Sequence, residues 1–299
     1  SPDACSAGMC GGKPKCDDSN SCTTDSCDTK TGKCTHTKTK DDTACGGGKV
    51  CKQGVCTSSS GPAGKPPGSA CFDGSKFEQL IGKGQSGSAD GDPANATFKN
   101  PKGIVTSGMK ALYVADTYNS TIRKVSLDGG AGPVASTIAG NGKTGYKDGS
   151  ALAAQFNLPL DIAVDSKGVL YIADTHNNRI RTLSANGQTV STYIDSGLKK
   201  PHGVAIDSND ILYIADTENH RITRVDTKKA GPASMSLLAG STPGYFNGTA
   251  ITSKFNAPKG IAVDVKGDVY VADTGNHRIR KVQVATATVS TIAGGLAGD

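Results

Sequence analysis

Several residue types are scarce in this chain of 299 residues, and each scarcity excludes a class of protein. There is no tryptophan, and aromatic residues make up 5% of the sequence, which is low for a protein built on one thick core. No apolar run approaches the roughly 18 residues of a membrane-spanning helix. The 39 glycines argue against a helical bundle, because glycine costs about 1 kcal/mol at a helical position. Thin sheets joined by tight turns fit this composition better.

Cysteine is absent after residue 71 and dense before it, so the chain divides into a cysteine-rich head and a cysteine-free body. The head is too poor in apolar residues to fold without disulfides or metals. Its cysteine spacings are irregular and His36 is its only histidine, which disfavours zinc. We therefore predict disulfides and a location outside the cell, at its surface or in the periplasm. The predicted disulfide cysteines, whose pairing the sequence leaves open, are Cys5, Cys10, Cys16, Cys22, Cys27, Cys34, Cys45, Cys51, Cys56 and Cys71.

The head also repeats itself. Residues 5–10 and 51–56 share the pattern C-x-x-G-x-C, and residues 16–27 between them read C-D-D-S-N-S-C-T-T-D-S-C. This pattern resembles the cysteine-rich modules of secreted bacterial proteins, notably those of myxobacteria. The resemblance implies a bacterial source and an extracellular spacer or adhesion module over residues 1–56.

A stretch rich in serine, glycine and proline separates the two parts of the chain. Residues 57–71 have the composition of a linker and end at Cys71, which we expect to tie the head or the linker to the body. The alternative is that Cys71 pairs within the head over a long range. The sequence thus predicts three regions: a head over residues 1–56, a linker over 57–71 and a body over 72–299.

Four segments of the body repeat one another, beginning near residues 101, 159, 201 and 258. Each reads P-x-G-I-A-V-D or a variant of it, followed by a Y-V-A-D-T-type run and then by an asparagine and a β-branched, basic run. A fourth short run closes each unit, so each unit holds four predicted strands between Gly, Asp and Asn turns. Four strands in about 40 or more residues is the pattern of a propeller blade.

This motif resembles that of the NHL repeat family over about residues 77–299. The resemblance implies an all-β, NHL-type β-propeller, usually of six blades, preceded here by a small disulfide-rich, loop-dominated domain. A single blade leaves both faces of its sheet exposed, so blades must stack to bury them.

Four repeats do not fill a six-bladed ring. Residues 77–82 resemble a fourth strand without its first three, and the chain ends as it begins a further insertion of the same kind. The sequence leaves three explanations open: a fragment of a longer array, a smaller or open propeller, or strands supplied by another subunit. An exposed strand edge is a template for pairing with a second chain.

An aspartate ends the second predicted strand of a repeat and an arginine begins the third, across a D-T-x-N turn. Aspartate caps such turns and pairs with arginine, so we predict a structural ion pair in each of three repeats. The predicted pairs are Asp174 with Arg179, Asp216 with Arg221, and Asp273 with Arg278.

Two groups of residues are candidates for a metal. Four histidines recur near one set of loops, where a ring of imidazoles could hold a metal, although their match to the repeat favours a structural role. In the head, oxygen ligands in one short loop could hold calcium, although the EF-hand spacing is absent and Asp and Asn are also typical of turns. The candidates are His176, His202, His220 and His277 for the first group, and Asp17, Asp18, Asn20 and Asp25 for the second.

We therefore predict a secreted or cell-surface protein that binds or assembles rather than catalyses. The propeller serves as a scaffold, and strand donation between subunits would give oligomers or fibres. The expected partner is a protein, including a second copy, with polysaccharide or an anionic surface as alternatives; no nucleic acid, membrane span or resident cofactor is expected. The alternative function is an extracellular metal-dependent lyase or lactonase with its site at the mouth of the ring.

Overall fold

A computed structural model describes residues 79–128, 132–229 and 234–295, together with the backbone of four strands closer to the amino terminus. The chain divides into two compact units, Ser1–Cys71 and Phe72–Asp299. The predicted disulfides, calcium ligands and linker concern side chains or segments that lie outside the described residues.

Two antiparallel hairpins are the described part of the first unit. In the first hairpin Cys27 lies opposite Cys34, and in the second Cys51 lies opposite Cys56. The strands are β1 (Thr23–Asp28), β2 (Lys33–Lys38), β3 (Lys49–Lys52) and β4 (Val55–Ser58).

Four antiparallel sheets in chain order make up the second unit, and we call them blades one to four. Blade one contains β5 (Ile104–Ser107), β6 (Ala111–Asp116), β7 (Thr121–Ser126) and β8 (Val134–Ala139). Blade two contains β9 (Gly149–Ser150), β10 (Pro159–Val164), β11 (Leu170–Asp174), β12 (Arg179–Leu183) and β13 (Thr189–Ile194). Blade three contains β14 (Pro201–Ile206), β15 (Ile211–Asp216), β16 (Arg221–Asp226) and β17 (Met235–Ala239). Blade four contains β18 (Gly248–Thr249), β19 (Pro258–Val263), β20 (Val269–Asp273), β21 (Arg278–Gln283) and β22 (Thr288–Ala293).

Turn chemistry explains where the strands end. In every blade the second strand is followed by one 3-10 turn, and the residue after that turn adopts a left-handed backbone conformation. These turns are Thr117–Asn119, Thr175–Asn177, Thr217–Asn219 and Thr274–Asn276, and a further 3-10 turn spans Ala151–Ala153. The parts of the chain that the structure describes contain no α-helix, and no helix there could cross a membrane.

The core consists of three interfaces between consecutive blades and a smaller apolar cluster at blade one. One row of small and branched side chains on each blade packs against the next blade, and the rows on blades one to three are completely buried. The rows are Ala115, Ile122 and Ala139 on blade one, Ala173, Ile180 and Ile194 on blade two, and Ala215, Ile222 and Ala239 on blade three. Blade stacking is therefore the main source of apolar burial, as the repeat pattern predicted.

The innermost strands of the blades contact one another in chain order: β5 contacts β10, β10 contacts β14, and β14 contacts β19. At Gly203 this approach is so close that a Cβ atom would lie 2.2 Å from the carbonyl oxygen of Lys259. At Gly103 a Cβ atom would lie 2.5 Å from the Cα of Asp161. Backbone contact between blades thus requires glycine at residues 103 and 203.

A long insertion precedes the first strand of blades one, two and four. Its short segments pair with the outermost strand of the same blade, as β9 does with β13 and β18 with β22. A single bridge between Gly91 and Ala135 takes this place in blade one. Blade three lacks the insertion. The insertions span residues 82–100, 140–157 and 240–256.

The predicted orphan strand over residues 77–82 is not formed where the structure describes it. Residues 79–82 adopt no strand, and residues 77 and 78 lie outside the described part of the chain. Ile81 packs instead against the apolar cluster of blade one, which includes Val114 and Val125. A strand needs a neighbour with which to pair, and residues 79–82 have none among the described residues.

Candidate functional site

A buried ion pair lies at the centre of blade two. The Nη1 atom of Arg181 donates to Oδ2 of Asp174 at 2.9 Å, and both side chains are fully buried. The same carboxylate accepts hydrogen bonds from the amide of Asn177 at 2.9 Å and from the backbone N–H of Asn157 at 2.7 Å. Burial nevertheless raises the pKa of Asp174, because desolvation outweighs these donated bonds. Asp116 with Arg123 and Asp273 with Arg280 repeat this ion pair at 2.9 and 2.8 Å.

Each of these arginines also ties the insertion to the blade. Arg181 donates to the carbonyl oxygens of Lys147 and Gln155 at 2.8 and 3.0 Å, and to the carboxylate of Asp148. Arg123 and Arg280 bind their own insertions in the same way, through Asp90 and Asn247. The D-T-x-N turn, the third strand and the insertion therefore form one hydrogen-bonded unit.

Two of the three predicted ion pairs have a different arginine from the one expected. Asp174 is bound by Arg181 rather than Arg179, and Asp273 by Arg280 rather than Arg278. The second arginine of each R-I-R run lies beneath the insertion, where carbonyl oxygens accept hydrogen bonds from its Nη1 and Nη2 atoms. The first arginine donates to the preceding turn, as Arg179 does to the carbonyl oxygen of Asn177 at 2.9 Å.

The first arginine of each R-I-R run also stacks on an insertion tyrosine. The guanidinium carbon of Arg179 lies 4.2 Å from the ring centroid of Tyr146, and that of Arg278 lies 4.0 Å from Tyr245. The Tyr146 hydroxyl lies 3.0 Å from that of Thr192 on the outermost strand. The tyrosines thus cover the buried ion pairs and separate them from solvent.

Blade three carries the third predicted pair in the expected form. Nε of Arg221 donates to Oδ2 of Asp216 at 2.7 Å, and a buried Thr223 stands where the other blades have their second arginine. The short connection over residues 195–200 supplies the carbonyl oxygen of Gly197, which accepts from Arg221 at 2.5 Å, but it has no segment equivalent to the insertions. A guanidinium at position 223 would be buried without the insertion groups that bind the second arginine in the other blades. The threonine at this position therefore goes together with the missing insertion.

A second group of polar residues lies where the inner strands begin, and we call it the inner-strand cluster. It consists of Lys102, Asp161, His202 and Lys259, one from each blade. The carboxylate of Asp161 accepts backbone N–H groups of Ile162 and Val204 at 2.9 and 3.0 Å, which ties β10 to β14. Burial raises the pKa of Asp161 to about 6.

Sequence reasoning missed Asp161, although the sequence holds a signal for it. Three of the four repeats have glycine at this position, namely Gly103, Gly203 and Gly260, whereas blade two has the aspartate. The glycine allows neighbouring inner strands to approach each other closely. An aspartate at the same position of one repeat therefore indicates that this inner strand has a different environment from the others. His202, one of the predicted metal ligands, precedes Gly203, which is the residue of blade three that corresponds to Asp161. Burial, with Lys259 and Lys102 nearby, lowers the pKa of His202 to about 4.

The structure does not bring the four candidate histidines together as ligands. Within the described residues no three His, Cys, Asp or Glu side chains form a metal-binding group. His220 instead accepts the backbone N–H of Ala257 at Nδ1, at 3.1 Å. His220 and His277 occupy the left-handed position after the 3-10 turn, with φ values of 52° and 55°, and His176 lies within the turn of blade two.

The two ends of the series of blades expose apolar side chains. On blade four the row that is buried elsewhere is open: Ile279 is 39% exposed, Ala293 is exposed and Ala272 is half-buried. On blade one the reverse face is open, since Ile104 is 60% exposed whereas its equivalent Ile162 in blade two is 2% exposed. The series of blades is therefore not closed into a ring within the described residues.

Comparison with known proteins identifies the repeats. The NHL repeat model matches residues 156–183, 198–224 and 255–282, which lie in blades two, three and four. A model described as a Dictyostelium (slime mold) repeat matches residues 15–39. The comparisons thus do not support the bacterial type of module that the head resembled.

The curated relatives that match this chain are much longer than it is. NHL repeat-containing protein 2 of Bos taurus is 33% identical over 209 residues, which are 66% of this chain and 23% of the relative. The Homo sapiens protein of that name is 28% identical over 67% of this chain and 23% of its own. Protein SUPPRESSOR OF QUENCHING 1, chloroplastic, of Arabidopsis thaliana is 34% identical over 38% of this chain and 10% of its own. The chain thus spans about a quarter or less of these relatives.

Solved structures are similar at low identity. Selenomethionine-substituted virginiamycin B lyase of Staphylococcus aureus has a TM-score of 0.48 and 16% identity, and the match covers 66% of this chain and 58% of that one. A Bacteroides thetaiotaomicron protein of unknown function has a TM-score of 0.44 and 20% identity, over 73% and 64% of the two chains. Likeness at this level carries no argument about activity. The matched repeats and the antiparallel sheets of four or five strands that contain them show that the described part of the chain is all-β, with NHL repeats and propeller-like blades.

Proposed function

We propose that the protein is a secreted or cell-surface scaffold without enzymatic activity that acts by associating with copies of itself. One observation carries this proposal: the apolar row that is completely buried on blades one, two and three is exposed on blade four, at Ile279 and Ala293. Exposed apolar faces of this kind mark association surfaces in soluble proteins. The disulfide-rich head would act as a spacer that positions each scaffold.

Stacking of blade faces explains the association better than strand donation does. Strand donation would require residues 77–82 to leave their position and extend along a second copy, whereas Ile81 packs against the apolar cluster of blade one. The exposed row, by contrast, already has the geometry of a half-interface that the chain builds three times. Self-association through sheet faces leaves the strands of both partners in their sheets and displaces only residues 79–82.

The test is the molar mass of the chain with and without a charge on the exposed row. We expect the wild type to sediment above 30.4 kDa and Ile279→Lys to sediment as the monomer. Val265→Lys is the matched control, because Val265 is 97% exposed in a turn of the same blade and should leave association unchanged. A wild type that stays monomeric at high concentration would contradict the proposal.

The second candidate, a metal-dependent lyase or lactonase, would need a metal near the inner-strand cluster, where no three His, Cys, Asp or Glu side chains of the described residues form a metal-binding group. Asp161 and His202 are titratable groups close to where the inner strands begin, and the carboxyl has a raised pKa. Metal analysis of the purified protein separates the two functions. One bound metal per chain that is lost in His202→Gln would support the enzyme, whereas the scaffold needs no metal at this position.

A further inference from the structure

We propose that two copies of the chain join head to tail, with blade four of one copy against blade one of the next. This inference rests on the proposed self-association and specifies its surfaces. The carboxy-end face consists of Ala272, Thr274, Ile279 and Ala293 of blade four. The amino-end face consists of Pro101, Ile104 and Leu112, which begin or belong to blade one.

The two faces are the two halves of one interface. At the first internal interface, the row of Ala115, Ile122 and Ala139 packs against Ile162 and Leu170 of blade two. Ile279 is the equivalent of Ile122. Ile104 and Leu112 are the equivalents of Ile162 and Leu170, by their positions in the paired strands. Docking would therefore bury Ile279 against Ile104 and Leu112.

A repeated hydrogen bond points to the same arrangement. The hydroxyl of the threonine that opens each 3-10 turn donates to the carbonyl oxygen of the proline that begins the next inner strand. The three bonds run from Thr117 to Pro159 at 2.8 Å, from Thr175 to Pro201 at 2.6 Å, and from Thr217 to Pro258 at 2.7 Å.

The threonine and the proline that could form a fourth such bond are both exposed, one in blade four and the other at the start of blade one. Thr274 is exposed and reaches the carbonyl oxygen of Ala272 in its own blade at 3.3 Å. Pro101 is exposed, whereas the three equivalent prolines are buried. The head-to-tail arrangement would pair the Thr274 hydroxyl with the Pro101 carbonyl oxygen of the next copy.

The inner strands also leave room for this neighbour. A Cβ atom at Gly203 would meet the backbone of β19, but one at Gly260 would have Ala272 as its nearest contact, at 3.5 Å. Gly260 therefore has open space where the other repeats have the next inner strand. The first strand of blade one of a second copy, β5, fits this space in the same way as β19 fits beside β14.

One segment has to move for the faces to meet. Gly294 lies against the carbonyl oxygen of His277, as Gly140 lies against that of Ser120, so it occupies the place at which an insertion begins. Gly82 begins the insertion of blade one and would need the same place. Residues 79–82 form no strand, so we expect them to be displaced while β22 stays in its sheet.

The head-to-tail mode makes a specific prediction for mixtures of variants. Ile279→Lys damages the carboxy-end face and Ile104→Lys damages the amino-end face, so each alone should raise the dissociation constant at least about tenfold. In a mixture, the intact carboxy-end face of Ile104→Lys meets the intact amino-end face of Ile279→Lys. An equimolar mixture should therefore form dimers in sedimentation velocity, although neither variant does so alone.

Other outcomes overturn this mode in distinguishable ways. If the wild type associates, Ile279→Lys does not, and the mixture fails to recover dimers, the faces meet like with like and only the head-to-tail mode fails. If the wild type is monomeric, the proposed self-association fails as well. Deletion of residues 72–82 separates strand donation from face docking, since it abolishes the former and leaves the latter intact or stronger.

Discussion

The guanidinium of Arg181 and the carboxylate of Asp174 lie 2.9 Å apart, and neither side chain is accessible to solvent. The pair connects the end of β11 to the middle of β12, and through Arg181 it also holds the insertion of blade two. A buried charge without its partner is strongly destabilising, because its desolvation is no longer compensated. The stability of blade two should therefore depend on this pair far more than on the neighbouring arginine.

Arg181→Leu should lower the free energy of unfolding by about 3–5 kcal/mol, because it leaves Asp174 buried without its ion-pair partner. Arg179→Leu is the matched control and should cost about 1 kcal/mol or less, since Arg179 is half-buried and does not bind a carboxylate. Urea unfolding of the two variants measures the difference. Equal losses would show that the two arginines share the role.

Gly203→Ala should lower the free energy of unfolding by at least about 1–3 kcal/mol, because the added Cβ meets backbone atoms of β19. Gly260→Ala occupies the same position of the repeat on blade four and should be tolerated, since its Cβ has space. Thermal unfolding of monomeric protein at low concentration compares the two. A large loss in monomeric Gly260→Ala would mean that another segment already covers blade four.

Asp161 should make the wild type less stable as the pH rises. Its pKa is raised to about 6 in the folded state from 3.8, so the folded protein holds this proton more tightly than the unfolded chain does. The stabilisation is complete below about pH 3.8 and is lost as the pH passes 6, with a span of about 3 kcal/mol. Asp161→Asn should remove this dependence. The check is chemical denaturation at several pH values, and an unchanged pH profile in the variant would refute the assignment.

His202 should act in the opposite direction. Its pKa is lowered to about 4 from 6.5, so the stability it contributes is present above pH 6.5 and is lost as the pH falls through 4. His202→Gln should therefore be less sensitive than the wild type to acidification between these values. NMR titration of the imidazole gives an independent measurement, and a midpoint near 6.5 would contradict the buried environment.

Blades two to four could be predicted from the sequence because their strands and turns repeat. The P-x-G start, the Y-V-A-D-T run and the R-I run determine strand, turn and strand by local chemistry, and β10, β14 and β19 begin at the predicted residues 159, 201 and 258. Blade one begins its first strand at Ile104, three residues after the predicted start. Its second and third strands show the repeat less clearly, with Thr121 where the others have arginine.

The arginine partners could not be predicted, because they depend on contacts distant in sequence. Arg179 and Arg181 lie on one short run, and only the carbonyl oxygens of Lys147 and Gln155 in the insertion make the second one the partner of Asp174. The environment of Asp161 depends similarly on Val204 of the next blade. Local patterns therefore predicted the elements, whereas the pairings required the packing of blades.

The concentration dependence of the native molar mass tests the central claim of an open propeller that assembles end to end. Sedimentation equilibrium of the wild type should show mass rising with concentration from 30.4 kDa towards whole multiples of that value. Ile279→Lys should stay at 30.4 kDa over the same range, and Val265→Lys should follow the wild type. A wild-type mass of 30.4 kDa at every concentration would contradict the claim.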